Sequence, residues 1–167
     1  LLPQSPYAWT KYLFDRFVNQ NLTEFQILVQ GFRYFNVYGL GELHKGEQAS
    51  PYTKFTQQAI ENGVIKVFEN SDSYKRDFVC VEDVCKVHDL MLGQDISGIY
   101  NVGTSTPESF DTVAKTIADK YNATIEYIPM PKNLQGQYQK YTCANIEKLT
   151  NNIDIKWTNI KEYIYDR

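Results

Sequence analysis

Apolar and polar positions follow two periods along the chain, one near 3.6 residues and one of two. Ser5-Pro6 supplies a capping hydroxyl and a proline for a first helical turn, and Tyr7, Lys11, Phe14 and Val18 follow at steps of four, three and four. The stripe ends in Phe14 and Val18, which places the Tyr7–Lys11 pair on the inward side of a helix stopping near Asn21. Residues 25–39, FQILVQGFRYFNVYG, are dense in β-branched and aromatic side chains and predict one buried strand running into a glycine turn. Ser50-Pro51 opens a second helix carrying Phe55, Ala59 and Ile60, with a stop at Asn62-Gly63. VIKVFE, 64–69, is a short strand. Residues 76–92 read as a strand through Phe78 and Val79. They turn helical near Glu82, with Glu82 and Asp83 as caps and Val84, Val87, Leu90 and Met91 on one face. GIYNVG, 98–103, is a strand. The next helix opens on a Ser105/Glu108 capping box and carries Phe110, Val113, Ala114 and Ile117. TIEYIP, 124–129, is a strand, residues 129–139 are loop-like, and two short helices lie near the end.

Helices and strands alternating in this order predict an α/β layered fold. The 167 residues suffice for one ordinary domain with a real core, and 43% apolar against 22% charged residues suits a globular chain. A net charge of −3 without a basic run argues against nucleic acid as a partner. No apolar run approaches the ~18 residues of a membrane span, so no membrane partner is expected. Three cysteines, Cys80, Cys85 and Cys143, include no C-x-x-C pair, which speaks against a disulfide framework or metal site and for a reducing cytoplasm.

Candidate chemistry starts at Tyr7 and Lys11. One helical turn brings the two side chains together, and an ammonium beside a phenol favours the phenolate, moving tyrosine toward use as a general acid or base. Thirteen tyrosines and thirteen lysines in 167 residues make about one Y-x-x-x-K expected by chance. The pair therefore gains meaning from its surroundings. Asn36 and Tyr38 sit where a strand's carboxyl end meets a loop, the place where open α/β sheets bind ligands. Arg76 stands just ahead of a strand and suits a diphosphate, or else an ordinary ion pair with Asp77 or Glu82. His88, inside a helix, reads as structural, and His44 as a loop-positioning residue.

PYAWTK, RYFNVYG, RDFVCVEDV and YNVGT occur in the order and spacing of the extended short-chain dehydrogenase/reductases that act on nucleotide sugars. The chain resembles the C-terminal half of that family, a Rossmann-like extended fold with its smaller α/β substrate-binding domain. GFRYFNVYGLGELHKGEQAS, FENSDSYKRDFV and IPMPKNLQGQYQKYT are similar to the ADP-heptose 6-epimerase branch. The resemblance implies that residues 1–39 are the last part of a nucleotide-binding Rossmann domain. Residues 40–167 are then mainly substrate domain, with 76–103 partly returning to the first. It implies Tyr7 and Lys45 as two acid/base groups, with Lys11 on the nicotinamide ribose and Val37 on the cofactor, NADP or alternatively NAD. Asn36, Glu47, Lys54, Phe68, Glu69, Asn70, Ser71, Arg76 and Tyr138 would contact an ADP-sugar. The implied reaction oxidises and re-reduces C6 of the heptose for lipopolysaccharide core synthesis, in a homo-oligomer, a pentamer in the resembled family.

The chain departs from that pattern at several positions. GLGE replaces the usual G-P-R, Glu47 a small serine, Lys54 a common histidine and Asn70 a glycine. Another 4-epimerase or 4,6-dehydratase of nucleotide sugars, or a non-enzymatic nucleotide-sugar-binding piece, fits the same core motifs. No G-x-G-x-x-G fingerprint precedes Tyr7, so the sequence is expected to be the C-terminal portion of a longer protein, inactive by itself.

Overall fold

The computed structural model describes residues 3, 5–132 and 138–167. The helices are α1 (Pro6–Asn21), α2 (Pro51–Asn62), α3 (Val81–Leu92), α4 (Phe110–Tyr121), α5 (Glu147–Thr150) and α6 (Ile160–Asp166). They alternate with strands β1 (Gln30–Tyr34), β2 (Asn36–Tyr38), β3 (Val64–Phe68), β4 (Lys75–Arg76), β5 (Phe78–Cys80), β6 (Gly98–Val102), β7 (Glu108–Ser109) and β8 (Thr124–Ile128). The ladders β1–β6, β2–β5 and β3–β8 are parallel, and β4–β7 is antiparallel. Parallel pairs require long crossovers, which here run through helices. This is the α/β architecture expected.

Helix starts follow their caps. The Ser5 hydroxyl accepts from the Ala8 N–H at α1, and the Ser50 hydroxyl accepts from the Thr53 N–H at α2, each with proline in the first turn. α2 ends at Gly63 and α4 at Asn122, both in the left-handed region that closes a helix.

Two apolar clusters form the interior. The first gathers Tyr38, Tyr52, Phe55, Ile65, Val67, Phe78, Cys80, Phe110, Ile117 and Ile164 among α2, α4, α6 and the β3–β8 ladder. The second holds Val79, Val87, Met91, Tyr100, Val102, Leu149 and Ile153. β5 serves both: Phe78 and Cys80 belong to one cluster and Val79 to the other, as period-two alternation requires. The short β2–β5 ladder therefore forms the wall between them.

Four local expectations are corrected. Residues 25–39 are not one buried strand: pairing begins at Gln30, and Ile27 and Leu28 are exposed. The chain also changes partner at Phe35, whose N–H donates to Val102 O, while the Asn36 N–H donates to Asp77 O. α4 does not start on a Ser105/Glu108 box. Glu108-Ser109 pairs with β4 first, the Ser105 N–H is taken by Asp77, and Ser109 is the cap, accepting from the Thr112 N–H. Glu82 and Asp83 lie in the first turn of α3 behind an N-cap at Cys80 that makes no side-chain cap bond. Asp83 is fully buried and accepts instead from the Thr158 N–H and Lys86. Ile60 of α2 faces outward.

Candidate functional site

Tyr7 and Lys11 do meet on one face of α1: the Lys11 ammonium lies 5.2 Å from the centre of the Tyr7 ring. That face is outward. Tyr7 is 72% exposed, Phe14 is exposed as well, and α1 buries only Val18. The inward placement read from the stripe is thus overturned. The reason is physical: burial depends on what packs against a stripe, and the described residues meet α1 through β6 and the Asp15–Arg33 ion pair, away from Tyr7 and Phe14.

Asn36 and Val37 stand at the start of β2, paired with Phe78 and Val79 of β5. The next glycine, Gly39, leads into the loop that carries the chain to α2. A 3-10 turn, Leu43–Gln48, kinked at Gly46, holds Lys45. The Lys45 ammonium donates to Glu42 at 2.9 Å, and the Glu42 carboxylate also accepts from the Ser50 and Thr53 hydroxyls. Burial works against the charge on Glu42, but hydrogen bonds from Ser50, Lys45 and Thr53 outweigh it and hold the carboxyl below its ordinary range. Glu47 and Lys54, both expected against a sugar, pair with each other: the Lys54 ammonium donates to the Glu47 carbonyl and lies 3.7 Å from its carboxylate. His44 turns Nδ1 to the Gly41 carbonyl at 2.8 Å.

A second group forms around Arg76. Phe68 ends β3, and Glu69, Asn70 and Ser71 make the turn after it. The Ser71 N–H closes on Phe68 O, and Asn70 takes a positive φ of 60°. The Ser71 hydroxyl is buried without a hydrogen-bond partner among the described residues. Arg76, 8% exposed, is flanked by Phe110 at 5.4 Å and Tyr138 at 5.1 Å, and Tyr138 also packs against Tyr74. The guanidinium donates to its neighbour's carbonyl, Lys75 O, at 2.9 Å. Among the described residues it makes no ion pair, so neither Asp77 nor Glu82 is its partner. Burial pulls the guanidinium below its ordinary range, with the Tyr138 phenol opposing. Burial likewise raises Tyr138. Residues 140–142 run beside β4, with the Lys75 N–H on Lys140 O and the Thr142 N–H on Lys75 O, and bring Tyr138 over Arg76. Of the loop ahead of Tyr138, residues 133–137 lie outside the described residues, including Leu134 and Gly136 of the IPMPKNLQGQYQKYT segment.

Sequence reasoning missed Asp77 and Glu42. Asp77 is fully buried and accepts from the Thr104 N–H and hydroxyl, the Ser105 N–H and the Ala144 N–H, at 2.7–2.9 Å. A carboxylate lodged inside the apolar run RDFVCV was the available signal. No hydrogen bond, ion pair or ring contact among the described residues joins Tyr7 or Lys11 to Lys45, Asn36 or Arg76. The described residues include no cluster of potential metal ligands and no helix long and apolar enough to cross a membrane. His88 meets the Tyr34 hydroxyl at 2.6 Å and the Phe32 ring at 4.6 Å, in keeping with a structural role.

The ADP-L-glycero-D-manno-heptose-6-epimerase of Helicobacter pylori is similar over 99% of this chain and 50% of its own, with 29% identity and a TM-score of 0.85. A UDP-N-acetylglucosamine 4-epimerase from Methanobrevibacter ruminantium shares the fold at 21% identity, with a TM-score of 0.82 over 99% of this chain and 53% of its own. A dTDP-glucose 4,6-dehydratase from Bacillus anthracis, solved with NAD, does so at 20% identity, with a TM-score of 0.77 over 98% and 52%. The chain thus spans about half the length of these relatives. The model of the NAD dependent epimerase/dehydratase family matches residues 1–103, and the chain belongs to that family, the extended short-chain dehydrogenase/reductases.

Proposed function

We propose that this chain carries the substrate-binding and proton-transfer groups of an NADP-dependent ADP-heptose 6-epimerase. The observation that carries the reading is Arg76, a buried cation walled by Phe110 and Tyr138 with no carboxylate partner among the described residues. Leaving an arginine desolvated and unpaired costs stability unless an anion completes it. A nucleotide diphosphate matches its fork geometry. Ser71, whose buried hydroxyl has no partner among the described residues, lies in the turn leading to the same aromatic group. In this reading Asn36, Phe68, Glu69 and Asn70 contact the same ADP-sugar, as do Glu47 and Lys54.

The exposed Tyr7–Lys11 pair, joined by its ring contact, fits a group bearing ribose hydroxyls, and in this reading Val37 and Lys45 contact the same cofactor. A bound nicotinamide, as NADP or NAD, would supply hydride acceptance and return. The residues of this chain then handle the proton. Tyr7 takes a proton from the sugar hydroxyl on one face, and Lys45 gives one of its own ammonium protons to the oxygen on the other. Two faces demand two acid/base groups, which is the reason for a second one beyond Tyr7. Residues 1–39 and part of 76–103 belong in this reading to the nucleotide-binding domain, and the rest to the substrate domain. The assembly is a cytoplasmic homo-oligomer, and its product serves lipopolysaccharide core synthesis.

Calorimetry with an ADP-sugar tests the site. Arg76→Met is expected to weaken binding at least about tenfold, the worth of a charge-assisted contact, while leaving the melting temperature in place. Equal affinity in the variant would sink the reading. In a form that turns over, Lys45→Ala separates a heptose epimerase from a 4-epimerase or 4,6-dehydratase, which makes no use of Lys45. The exposure of Tyr7 favours one other reading for the isolated chain, a nucleotide-sugar-binding piece without turnover. NADP⁺ titration giving micromolar affinity would exclude it.

A further inference from the structure

The groups beneath Lys45 have no part in the scheme so far. Glu42 follows the β2 turn and is 7% exposed. Its carboxylate accepts from Lys45 at 2.9 Å, from the Thr53 hydroxyl at 2.8 Å and from the Ser50 hydroxyl. Ser50 is the N-cap of α2, and Thr53 stands in its first turn. The carboxylate therefore lies at the positive end of a twelve-residue helix, where a negative charge is favoured. α2 in turn is anchored in the larger cluster through Tyr52, Phe55 and Ala59. Lys45 itself rides on an exposed turn with no buried residue. The other charged groups nearby are otherwise committed or remote. Lys54 pairs with Glu47, His44 faces Gly41 O, and Glu61 lines the far side of the cavity between this loop and α2.

We propose that Glu42 is the positioning residue for Lys45: it ties the Lys45 ammonium to the N-terminus of α2 and presents it to the sugar as a proton donor. The proton-donor part rests on Lys45 being the second acid/base; the tie does not. When the Nζ–H bond breaks and the proton passes to the sugar oxygen, the amine keeps the electron pair beside a carboxylate. The amine then takes a proton from solvent, which closes the cycle. Held in an ion pair with Glu42, Lys45 takes the acid role, in the half-reaction that returns hydride to the ketone.

Carbon-13 dimethylation of the lysines, with the Lys45 signal assigned by Lys45→Arg, tests the tie by NMR. The expected result is a Lys45 methyl shift that follows an acid inflection below the ordinary carboxylate range. Glu42→Gln, which keeps the side chain's shape and its capacity to bond Ser50 and Thr53, should abolish it. A Lys45 signal that ignores acid in the wild type, or is unchanged in Glu42→Gln, overturns the proposal. Should Glu42→Gln not fold, the Glu42 carboxyl signal in Lys45→Gln decides. It should move up toward the ordinary range, and an unmoved signal overturns the tie. In a form that turns over, Glu42→Gln should lower kcat about two- to fivefold, the range carried by a half-exposed ion pair, with KM held and the pH profile displaced. An unchanged kcat and pH profile overturn the proton-donor part. Lys45→Ala without effect on turnover overturns it together with the site reading, and leaves the NMR result standing.

Discussion

Asp77 is the residue on which the geometry around Arg76 depends. Its two oxygens accept four hydrogen bonds from Thr104, Ser105 and Ala144, three of them from backbone N–H groups. Those donors come from the segment after β6 and from the segment that follows Tyr141, so one side chain pins both to β5. Gly103 leaves no room for error, since a Cβ there would meet Ala144 at 2.7 Å and Asp77 Oδ2 at 2.9 Å. Asp77→Ala strands buried donors and is expected to cost about 3–5 kcal/mol, read from urea unfolding. A loss below 1 kcal/mol would show that the network is dispensable. Arg76 next door shows the opposite economy: a buried charge left without a carboxylate among the described residues. The motif RDFVCVEDV marked both positions as charged residues in an apolar run. Which of the two was satisfied within the chain was not legible, because the partners lie 27 and 67 residues away.

At the scale of elements, capping hydroxyls and turn residues were readable wherever the competition was local. Ser5-Pro6, Ser50-Pro51 and Asn62-Gly63 gave helix boundaries that the structure keeps. The start of α4 was misplaced because two local devices compete there, and the β4–β7 ladder decides between them. The Glu108 side chain goes to Lys161 at 2.7 Å, not back to a cap. Ser109→Ala should therefore cost about 1 kcal/mol of stability, and Ser105→Ala should leave the helix start untouched. Thermal melts of the two variants, with amide exchange at Thr112, check this; a larger loss at Ser105 than at Ser109, with exchange at Thr112 sped up by Ser105→Ala, would restore the capping box. The 25–39 segment failed for a related reason. Apolar density marks what can be buried, but strand pairing extends only where a partner strand exists, and β6 meets this segment from Gln30 onward.

At the scale of the whole molecule, acid should unfold the chain through carboxylates spread over separate elements. Burial opposes the charge on Glu42, Glu82 and Asp111, yet hydrogen bonds and cations lower all three. For Glu82 these are the Cys80 thiol, its own backbone, Arg167 and Tyr163. For Asp111 they are Lys115 and Tyr127. Burial also pushes the Cys80 thiol up to about 12, so it remains a donor to Glu82. A carboxyl lowered in the folded state contributes stability above its unfolded value and loses it as pH falls through the folded one. The urea midpoint should therefore hold above about pH 5 and decline below the ordinary carboxylate values of 4.5 and 3.8. A flat acid limb would contradict this. The sequence by itself determined the α/β class, most helix starts and the family motifs, because caps, periods and short motifs act over a few residues. Tertiary structure alone decided that Tyr7 faces outward, that Glu42 holds Lys45, that Glu47 and Lys54 neutralise each other, and that Arg76 sits between Phe110 and Tyr138 without a counter-ion among the described residues. Burial, pairing and desolvation belong to what surrounds a side chain, and no local pattern records those surroundings.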